Sequence, residues 1–217
     1  MRRQSYVYII IAAFLASVVM SCKPKALPEP KPMGYFRIDL PEHKYRSVDT
    51  TELQLNHVES NTFAASYESL LPFTYEQSVY ANTTIEPQED HSLWMNITYP
   101  DLGASFRFTC FEVKNADSLR KLMISEDKMV KFHYQKADDV QYSVINDPEA
   151  HLWGQTYEIF GKEVATPFQF WLTDSAHHFV RATLYFDGVP NNDSLQPVIQ
   201  YLKEDAMHLI NTFAWKP

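Results

Sequence analysis

Cys22 has the setting in this chain that points most directly to a chemical reaction. It follows a basic start, Met1-Arg2-Arg3, and an apolar run over residues 6–20. A basic start, a short apolar core and a small residue before a cleavage point are typical of a secretory signal peptide. Val19-Met20-Ser21-Cys22 also fits a bacterial lipobox loosely. We therefore expect the Cys22 thiol to receive a diacylglyceryl group, and the chain to be cut before Cys22 and acylated at its new amino terminus.

The segment around this cysteine predicts how the rest of the chain is held. An uncleaved membrane helix is the alternative, but the apolar run is shorter than the roughly 20 residues that span a bilayer. Residues 23–32 contain four prolines, which favour an extended tether. We therefore divide the chain into a signal peptide (1–21), a lipidated cysteine with a Pro-rich tether (22–34) and one globular domain (35–217). Because no run of Asp or Glu follows Cys22, we expect the domain to face the periplasm, on the inner or the outer membrane.

Two groups of polar residues have the types needed for catalysis or metal binding. Asp174-Ser175 with His177 resembles a hydrolytic set, but triad members are brought together by the fold and not by adjacent positions. Asp147, Glu149 and His151 could bind a cation, although a metal needs a convergent set of ligands. Turn formation by Asp and Ser explains the first group, and a solvated acidic loop explains the second.

The remaining candidates give no catalytic residue, metal or cofactor. His177 and His178 are adjacent on a predicted strand, so their side chains point to opposite faces. Cys110 alternates with Phe106 and Phe108, which indicates a buried thiol without a disulfide partner. None of the five glycines forms a phosphate-binding loop.

The charge balance excludes one class of partner. Removing residues 1–21 takes Arg2 and Arg3 from the 19 basic side chains, which leaves 17 against 27 acidic ones and a formal charge of −10. An acidic domain repels phosphate backbones, so we expect no nucleic-acid binding.

Alternating apolar residues predict a sheet built of hairpins. One hairpin joins Trp94–Tyr99 to a strand over 104–113 through the turn Pro100-Asp101-Leu102-Gly103, and another joins 168–173 to 179–186. Further strands are predicted over 35–40, 140–145 and 152–160, and 70–76 is at best an edge strand because it contains Pro72.

Two helices complete the predicted fold. The first runs from about Ser118 to Gln135, capped by Asn115 or Asp117, and the second covers 195–213 with Pro197 in its first turn. The predicted apolar stripes are Leu119, Leu122, Met123, Met129 and Val130 in the first helix, and Val198, Leu202, Ala206, Leu209 and Phe213 in the second. Together these elements predict an α+β sandwich: an antiparallel β-sheet with two main helices packed on it.

Several segments of the chain resemble one known family. The resemblance is carried by Lys31-Pro32-Met33-Gly34-Tyr35-Phe36-Arg37-Ile38-Asp39-Leu40-Pro41, by Pro72-Phe73-Thr74-Tyr75-Glu76, by Trp94–Pro100, by 173–181, 184–186 and 190–195, and by Phe213-Ala214-Trp215-Lys216. In these segments the chain is similar to the gliding motility lipoprotein GldD family. The resemblance implies an envelope lipoprotein needed by a gliding machinery that depends on type IX secretion. It supplies no catalytic residues.

These observations lead us to expect a non-enzymatic protein that binds other envelope lipoproteins or proteins of the secretion and gliding machinery. The predicted contact segment is Tyr35, Phe36, Arg37, Ile38 and Asp39, which could add to a sheet edge or form an ordinary edge strand. The alternative is a small-ligand binder or enzyme whose pocket lies between sheet and helices. Trp171, Arg181 and Tyr185 are the residues that we expect to line such a pocket.

Overall fold

The computed structural model describes residues 39–54, 72–87, 92–188 and 191–216. Within these residues the chain forms ten strands, two long helices and one short helix. In chain order they are β1 (Tyr45–Asp49), α1 (Thr50–Gln54), β2 (Phe73–Ser78), β3 (Asn82–Pro87), β4 (Leu93–Tyr99), β5 (Ala104–Glu112), α2 (Ala116–His133), β6 (Asp139–Asp147), β7 (Leu152–Phe160), β8 (Phe168–Thr173), β9 (His178–Phe186), α3 (Asn192–Asn211) and β10 (Ala214–Trp215).

The strands form two antiparallel sheets. The larger sheet has seven strands in the order β3-β4-β5-β9-β8-β7-β6, and the smaller has three in the order β1-β2-β10. Both predicted hairpins are present, β4 with β5 and β8 with β9. The long-range pairing of β5 with β9 joins them into one sheet. The predicted α+β architecture is therefore confirmed.

One face of the seven-stranded sheet carries the main hydrophobic core, and we call it the packed face. Its buried side chains come from alternate positions of β4, β5, β8 and β9, as the pleat of a strand requires. Helix α3 and the small sheet cover it. The core includes Met95, Phe106, Phe108, Phe170 and Leu184 from the large sheet, Phe73 and Tyr75 from β2, and Leu202, Leu209 and Phe213 at the C-terminal end. The predicted packing of Leu202, Leu209 and Phe213 against the sheet is confirmed.

The opposite face, which we call the open face, is only partly covered. Helix α2 packs on its β7–β8–β9 side through a smaller cluster that includes Val130, Trp171 and Phe179. The remaining side chains of this face, on β3, β4 and β5, are mostly polar. The two long helices therefore lie on opposite faces of one sheet.

Two turns show why the hairpins close where they do. Gly103 follows a single 3₁₀ turn over Pro100–Leu102 and has a φ of 55°, a left-handed conformation that glycine adopts without steric cost. Asp174 accepts hydrogen bonds from the backbone N–H groups of Ala176, His177 and His178, so its side chain builds the turn between β8 and β9.

The prediction for the strand at Pro72 is wrong. Pro72 lies just before β2, so it removes no hydrogen bond from within the strand, and β2 is the central strand of the small sheet. Residues 70–71 lie outside the described residues. The strand predicted over 35–40 is wrong at Asp39 and Leu40, which are in no strand, and its first four residues lie outside the described part of the chain.

Both long helices begin earlier than the sequence predicts. Asn115 and Ser118 form a reciprocal capping box, which selects Asn115 from the two predicted caps and starts α2 at Ala116. The side chain of Asn192 donates to the carbonyl groups of Gly161 and Val164, which fixes the first residue of α3. Pro197 consequently lies in the second turn of α3, not the first.

The apolar stripe predicted for α2 is only partly confirmed. Val130 is buried, and Leu119 and Leu122 pack partly against the smaller cluster. Met123 and Met129 are exposed. Glu126 takes a central place on the inner face of the helix, because it pairs with an arginine of the sheet.

Candidate functional site

The uncovered part of the open face forms a groove of about 820 Å³, a size typical of ligand pockets. Its floor consists of side chains from β3, β4, β5, β8 and β9, and the C-terminal half of α2 forms one wall. Residues of the groove include Glu86, Trp94, Asn96, Arg107, Gln169 and Arg181 on the floor and Met129, Phe132 and His133 on the wall.

A row of polar side chains crosses the floor at right angles to the strands. Strand register places Thr84 beside Asn96, Asn96 beside Arg107, Arg107 beside Thr183, and Thr183 beside Gln169. We call these five residues the polar row. Four strand spacings of about 4.8 Å make the row roughly 19 Å long. The row therefore offers amide, hydroxyl and guanidinium groups along the whole width of the groove.

Aromatic rings lie on both sides of this row. Trp94 pairs with Glu86 and Thr109 in the neighbouring strands, and 46% of its surface is exposed. On the other side, the guanidinium of Arg107 lies 4.9 Å from the ring centroid of Tyr185, within the range of a cation–π contact. This contact positions the charge of Arg107 over the floor.

Arg181 connects the floor to the helical wall. Its Nη1 lies 3.0 Å from a carboxylate oxygen of Glu126 and 2.8 Å from the sulfur of Met129, and its Nη2 donates to the Thr109 hydroxyl at 3.3 Å. Burial raises the pKa of the Glu126 carboxyl, and the charge of Arg181 offsets part of this effect. Arg181 is thus largely committed to holding α2 on the sheet.

Two further groups shape the floor and wall. The side chain of Gln169 is 96% buried, and among the described residues its amide nitrogen has no hydrogen-bond partner. His133 Nε2 is 2.9 Å from the Thr166 hydroxyl, and burial lowers the pKa of this histidine. An unpaired buried donor is costly, so Gln169 provides a position where an acceptor from a ligand gains a bond.

A second polar cluster lies at the start of the domain, on α3. His43 Nδ1 is 2.6 Å from Asp205, the Tyr99 hydroxyl donates to the other Asp205 oxygen at 3.0 Å, and the His43 ring stacks on Tyr201. His43 Nε2 also lies 3.0 Å from Glu204. Asp205 is buried, and the partners around it attach the first described segment to the helix. We interpret the cluster as structural, because its contacts hold His43 against α3.

The structure bears on only some of the residues singled out by sequence. Arg181 and Tyr185 line the groove as predicted for a pocket between sheet and helix, whereas Trp171 does not. Trp171 is buried in the smaller cluster, stacked on Phe179. Cys22 and the segment Tyr35–Ile38 lie outside the described residues, and Asp39 is exposed. The lipidation site and the contact segment therefore stay predictions.

The other sequence candidates have structural roles. Asp147 accepts hydrogen bonds from the backbone N–H groups of Glu149 and Ala150, which is turn chemistry. Burial raises the pKa of the Asp174 carboxyl. The hydrogen bonds that it accepts from the backbone N–H groups of Ala176, His177 and His178 outweigh this effect, so the pKa is lowered. In the described ranges, no three His, Cys, Asp or Glu side chains come together as metal ligands would. Burial raises the pKa of the Cys110 thiol, which makes it a poor nucleophile.

Sequence reasoning missed the polar row, although one signal for it was available. Asn96 and Arg107 lie at the polar positions of two alternating strands, which identifies the solvent-facing side of that hairpin. Thr183 and Gln169 join them only through the β5–β9 pairing. This pairing brings together Arg107 and Thr183, which are 76 positions apart in the chain.

Comparison with known proteins places the chain in a family. No curated protein and no solved structure matches it. None of the helices within the described ranges has the length and apolar character needed to cross a membrane. A family model described as "Gliding motility lipoprotein GldD" matches residues 25–215 of the 217. This match covers nearly the whole chain, and the chain therefore belongs to the gliding motility lipoprotein GldD family.

Proposed function

We propose that this envelope lipoprotein is a non-enzymatic component that supports gliding motility or type IX secretion by binding other envelope proteins. Family membership supports a role in the motility machinery and an anchor in a membrane. The observation that carries the binding role is a cluster of exposed apolar side chains around α2 and β6. Seven of the ten large hydrophobic side chains that are exposed among the described residues belong to residues 123–144.

Four of these side chains form what we call the α2–β6 surface: Met123, Tyr134, Tyr142 and Val144. Asp127 accepts a hydrogen bond from the Tyr157 hydroxyl, and Tyr157 is the strand partner of Tyr142. Met123 lies one helical turn before Asp127, and Tyr134 lies two turns after it, so both are on the same flank of α2. Tyr142 and Val144 are 68% and 71% exposed. Exposed apolar clusters of this kind mark sites of protein association.

Strand β6 adds a second means of binding. It is the last strand of the seven-stranded sheet and pairs only with β7 among the described strands. Its outer edge spans nine residues, from Asp139 to Asp147. Such an edge presents N–H and C=O groups that can pair with a strand of another protein. A partner that adds a strand to β6 would also cover Tyr142 and Val144.

The lipid anchor places this surface in the envelope. We propose that acylated Cys22 and the Pro-rich segment 22–34 hold the domain at the periplasmic side of the inner or outer membrane. Mass spectrometry of the mature protein gives a direct test. The expected product begins at Cys22 and carries acyl groups, whereas Cys22→Ala should leave the precursor uncut. An unmodified Cys22 in the mature wild-type protein would contradict this anchor.

The binding role is tested by changing Tyr142 and Val144 together to Ser. Both side chains are exposed, so the domain should remain folded while partner proteins lose apolar contact area. Each buried apolar side chain contributes about 1.5–3 kcal/mol, so changing the pair should weaken binding by about a hundredfold or more. The readout is chemical crosslinking and purification of the tagged lipoprotein from envelopes, followed by identification of its partners, with secretion and colony spreading measured in the same strains.

A matched control comes from the turn between β2 and β3. Val79 and Tyr80 are also adjacent in the chain and exposed, but they lie away from α2 and β6. Val79→Ser with Tyr80→Ser should leave partner recovery and secretion unchanged. If both double variants behave alike, the α2–β6 surface is not the binding site. Phe36→Ser with Ile38→Ser then tests the segment predicted from sequence.

The groove favours a second candidate, a ligand-binding role alongside the binding of proteins. The specific observations for this role are its volume and the Gln169 amide nitrogen, which has no partner among the described residues. The Thr166 hydroxyl, which lies beside the groove residue His133, is buried and does not line the groove. We therefore propose binding, not catalysis, for this part of the molecule.

A further inference from the structure

We propose that the groove on the open face binds an acidic oligosaccharide, a short run of sugar rings that carries at least one carboxylate. This assignment does not depend on the α2–β6 surface, because the groove lies on the other flank of α2. It follows from three features of the floor: an exposed indole, a line of hydrogen-bonding groups and an uncompensated positive charge.

Trp94 provides the platform for a sugar ring. Its side chain lies on the floor with nearly half of its surface exposed, although the neighbouring core positions Leu93 and Met95 are fully buried. A pyranose ring has an apolar face of C–H groups and a rim of hydroxyl groups. The indole can cover the apolar face, while Glu86 and Thr109, directly beside Trp94 in the sheet, are within reach of the rim.

The polar row fits the rims of further rings. Sugar hydroxyl groups both donate and accept, so they need a mixture of partners. Asn96 and Gln169 contribute amides, Thr84 and Thr183 contribute hydroxyls, and all lie along one line that crosses the strands. The row is roughly 19 Å long, a length suited to several linked rings. The amide nitrogen of Gln169, which has no partner among the described residues, gives one position at which the ligand can supply an acceptor.

Arg107 specifies the charge of the ligand. Among the described residues it makes no ion pair, and its exposed guanidinium is held over the Tyr185 ring at the centre of the row. Arg181, in contrast, is already paired with Glu126. A guanidinium binds a carboxylate through two parallel hydrogen bonds, so the acidic group of the ligand should lie against Arg107.

The charges around the groove exclude a nucleic-acid strand as its ligand. Glu86 and Asp187 lie at the edges of the groove, and the chain as a whole has a formal charge of −8. A regularly spaced phosphate backbone would meet these carboxylates on both sides of Arg107. An acidic peptide is the other class of ligand that carries a carboxylate, and its binding is a competing outcome of the experiment.

The experiment titrates the purified full-length lipoprotein in detergent micelles with defined sugars. Trigalacturonate represents a uronic-acid polysaccharide, and N-acetylglucosaminyl-N-acetylmuramic acid represents cell-wall glycan. Galactotriose and chitobiose are their neutral counterparts without a carboxylate. Binding is measured by calorimetry and by the change in tryptophan fluorescence, of which Trp94→Ala identifies the part that comes from Trp94. We expect at least one acidic sugar to bind about tenfold or more tightly than its neutral counterpart, because a hydrogen bond between charged groups is stronger than a neutral one.

Three variants test the residues that carry the proposal. Arg107→Met should reduce affinity for the acidic sugar about tenfold and remove the preference over the neutral one. Trp94→Ala should weaken binding of both. Gln169→Leu keeps the volume and removes an unpaired donor, so it should weaken binding without loss of stability. Tyr142→Ser, on the same face but outside the groove, is the control and should bind as the wild type does.

The outcomes decide the proposal in either direction. Failure of both acidic sugars to bind the wild-type protein at millimolar concentration would overturn it, and so would equal binding of acidic and neutral sugars. Binding that survives Arg107→Met and Trp94→Ala unchanged would place the sugar elsewhere and overturn the assignment of the groove. Displacement of the sugar by tetraglutamate at equal concentration would show that the groove binds acidic peptides instead. The acidic sugar that binds more tightly identifies the source of the ligand, either a uronic-acid polysaccharide or cell-wall glycan.

Discussion

The two faces of the seven-stranded sheet are built by the same strands, but their side chains have different roles. On the packed face, alternate side chains of β4, β5, β8 and β9 meet α3 and the small sheet in one apolar core. On the open face, the intervening side chains are largely polar and only partly covered. Alternation along a strand therefore separates the residues that stabilise the fold from those free to contact a ligand.

The two long helices differ in the same way. Nine residues of α3 are buried, but only Glu126 and Val130 of α2 are. Helix α3 packs through apolar side chains such as Leu202, while the best-defined contact of α2 is the Glu126–Arg181 ion pair. Helix α3 therefore maintains the fold, whereas α2 mainly shapes two surfaces, the groove on one flank and the α2–β6 surface on the other.

The largest expected effect comes from a cavity under α3. Leu202 is fully buried, and Leu→Ala at such a site typically costs 2–5 kcal/mol of unfolding free energy. Met123→Ala on the exposed flank of α2 should change it by less than about 0.5 kcal/mol. Urea denaturation of both variants measures the difference. Equal losses would show that the two helices contribute equally to the stability of the fold.

The next effect tests how tightly the sheet is packed. Gly154 in β7 lies so close to the backbone carbonyl of Trp171 that an added Cβ would clash with it. Gly154→Ala should therefore lower the unfolding free energy by about 1–3 kcal/mol. Gly188, with nothing within 4 Å of its added Cβ, is the matched control. Thermal melting curves that coincide for the two variants would contradict the close approach of β7 and β8.

Strand boundaries were predicted best where a local pattern of buried residues lies between clear turns. Strands β7 and β8 begin and end at the predicted residues, since their buried positions alternate or run continuously between clear turns. Strands β1 and β3 were missed. Each is mainly polar, and β3 contains one large apolar residue, Ile85. Strand β10 has two residues, too few for any periodic pattern.

Only part of the groove could be predicted from the sequence, and the reason differs from the one that hid the short and polar strands. Arg181 and Tyr185 were singled out because they lie on a strand beside a predicted helix, and both line the groove. Trp171 was predicted in the same way but does not line the groove, because α2 covers the part of the open face where Trp171 lies. Which half of a sheet face a helix covers depends on helix placement and long-range strand order, and neither leaves a local signature in the sequence.

The third prediction concerns pH and the contact between α2 and the open face. Burial raises the pKa of Glu126 above its ordinary value of 4.5, with Arg181 acting against this shift. A raised carboxyl pKa means that the folded state holds its proton more tightly, so stability falls as pH rises from about 4.5 through the folded pKa and then levels off. Relative to Glu126→Gln, the wild type should lose unfolding free energy over this interval. A difference that grows with pH instead would contradict the burial of this carboxylate.

The smallest expected effect lies in the small sheet that covers the packed face. Hydrogen bonds from Lys216 and Thr51 lower the pKa of Asp49 to about 2, and the Lys216 ammonium contacts both carboxylate oxygens. The pair joins the end of β1 to the residue after β10. Because both side chains are about a third exposed, Asp49→Asn should cost less than about 1 kcal/mol at neutral pH.

The pH dependence and a matched partner variant identify this cost as the ion pair. A lowered carboxyl pKa contributes stability above the ordinary value of 3.8, and this contribution is lost as pH falls from there toward 2. The gap between wild type and Asp49→Asn should therefore narrow below about pH 4. Lys216→Met should cost a similar amount at neutral pH, and the double variant little more than either single one. If the two costs instead add, or the gap persists at low pH, the pair does not stabilise the small sheet, and apolar packing alone holds it on the packed face.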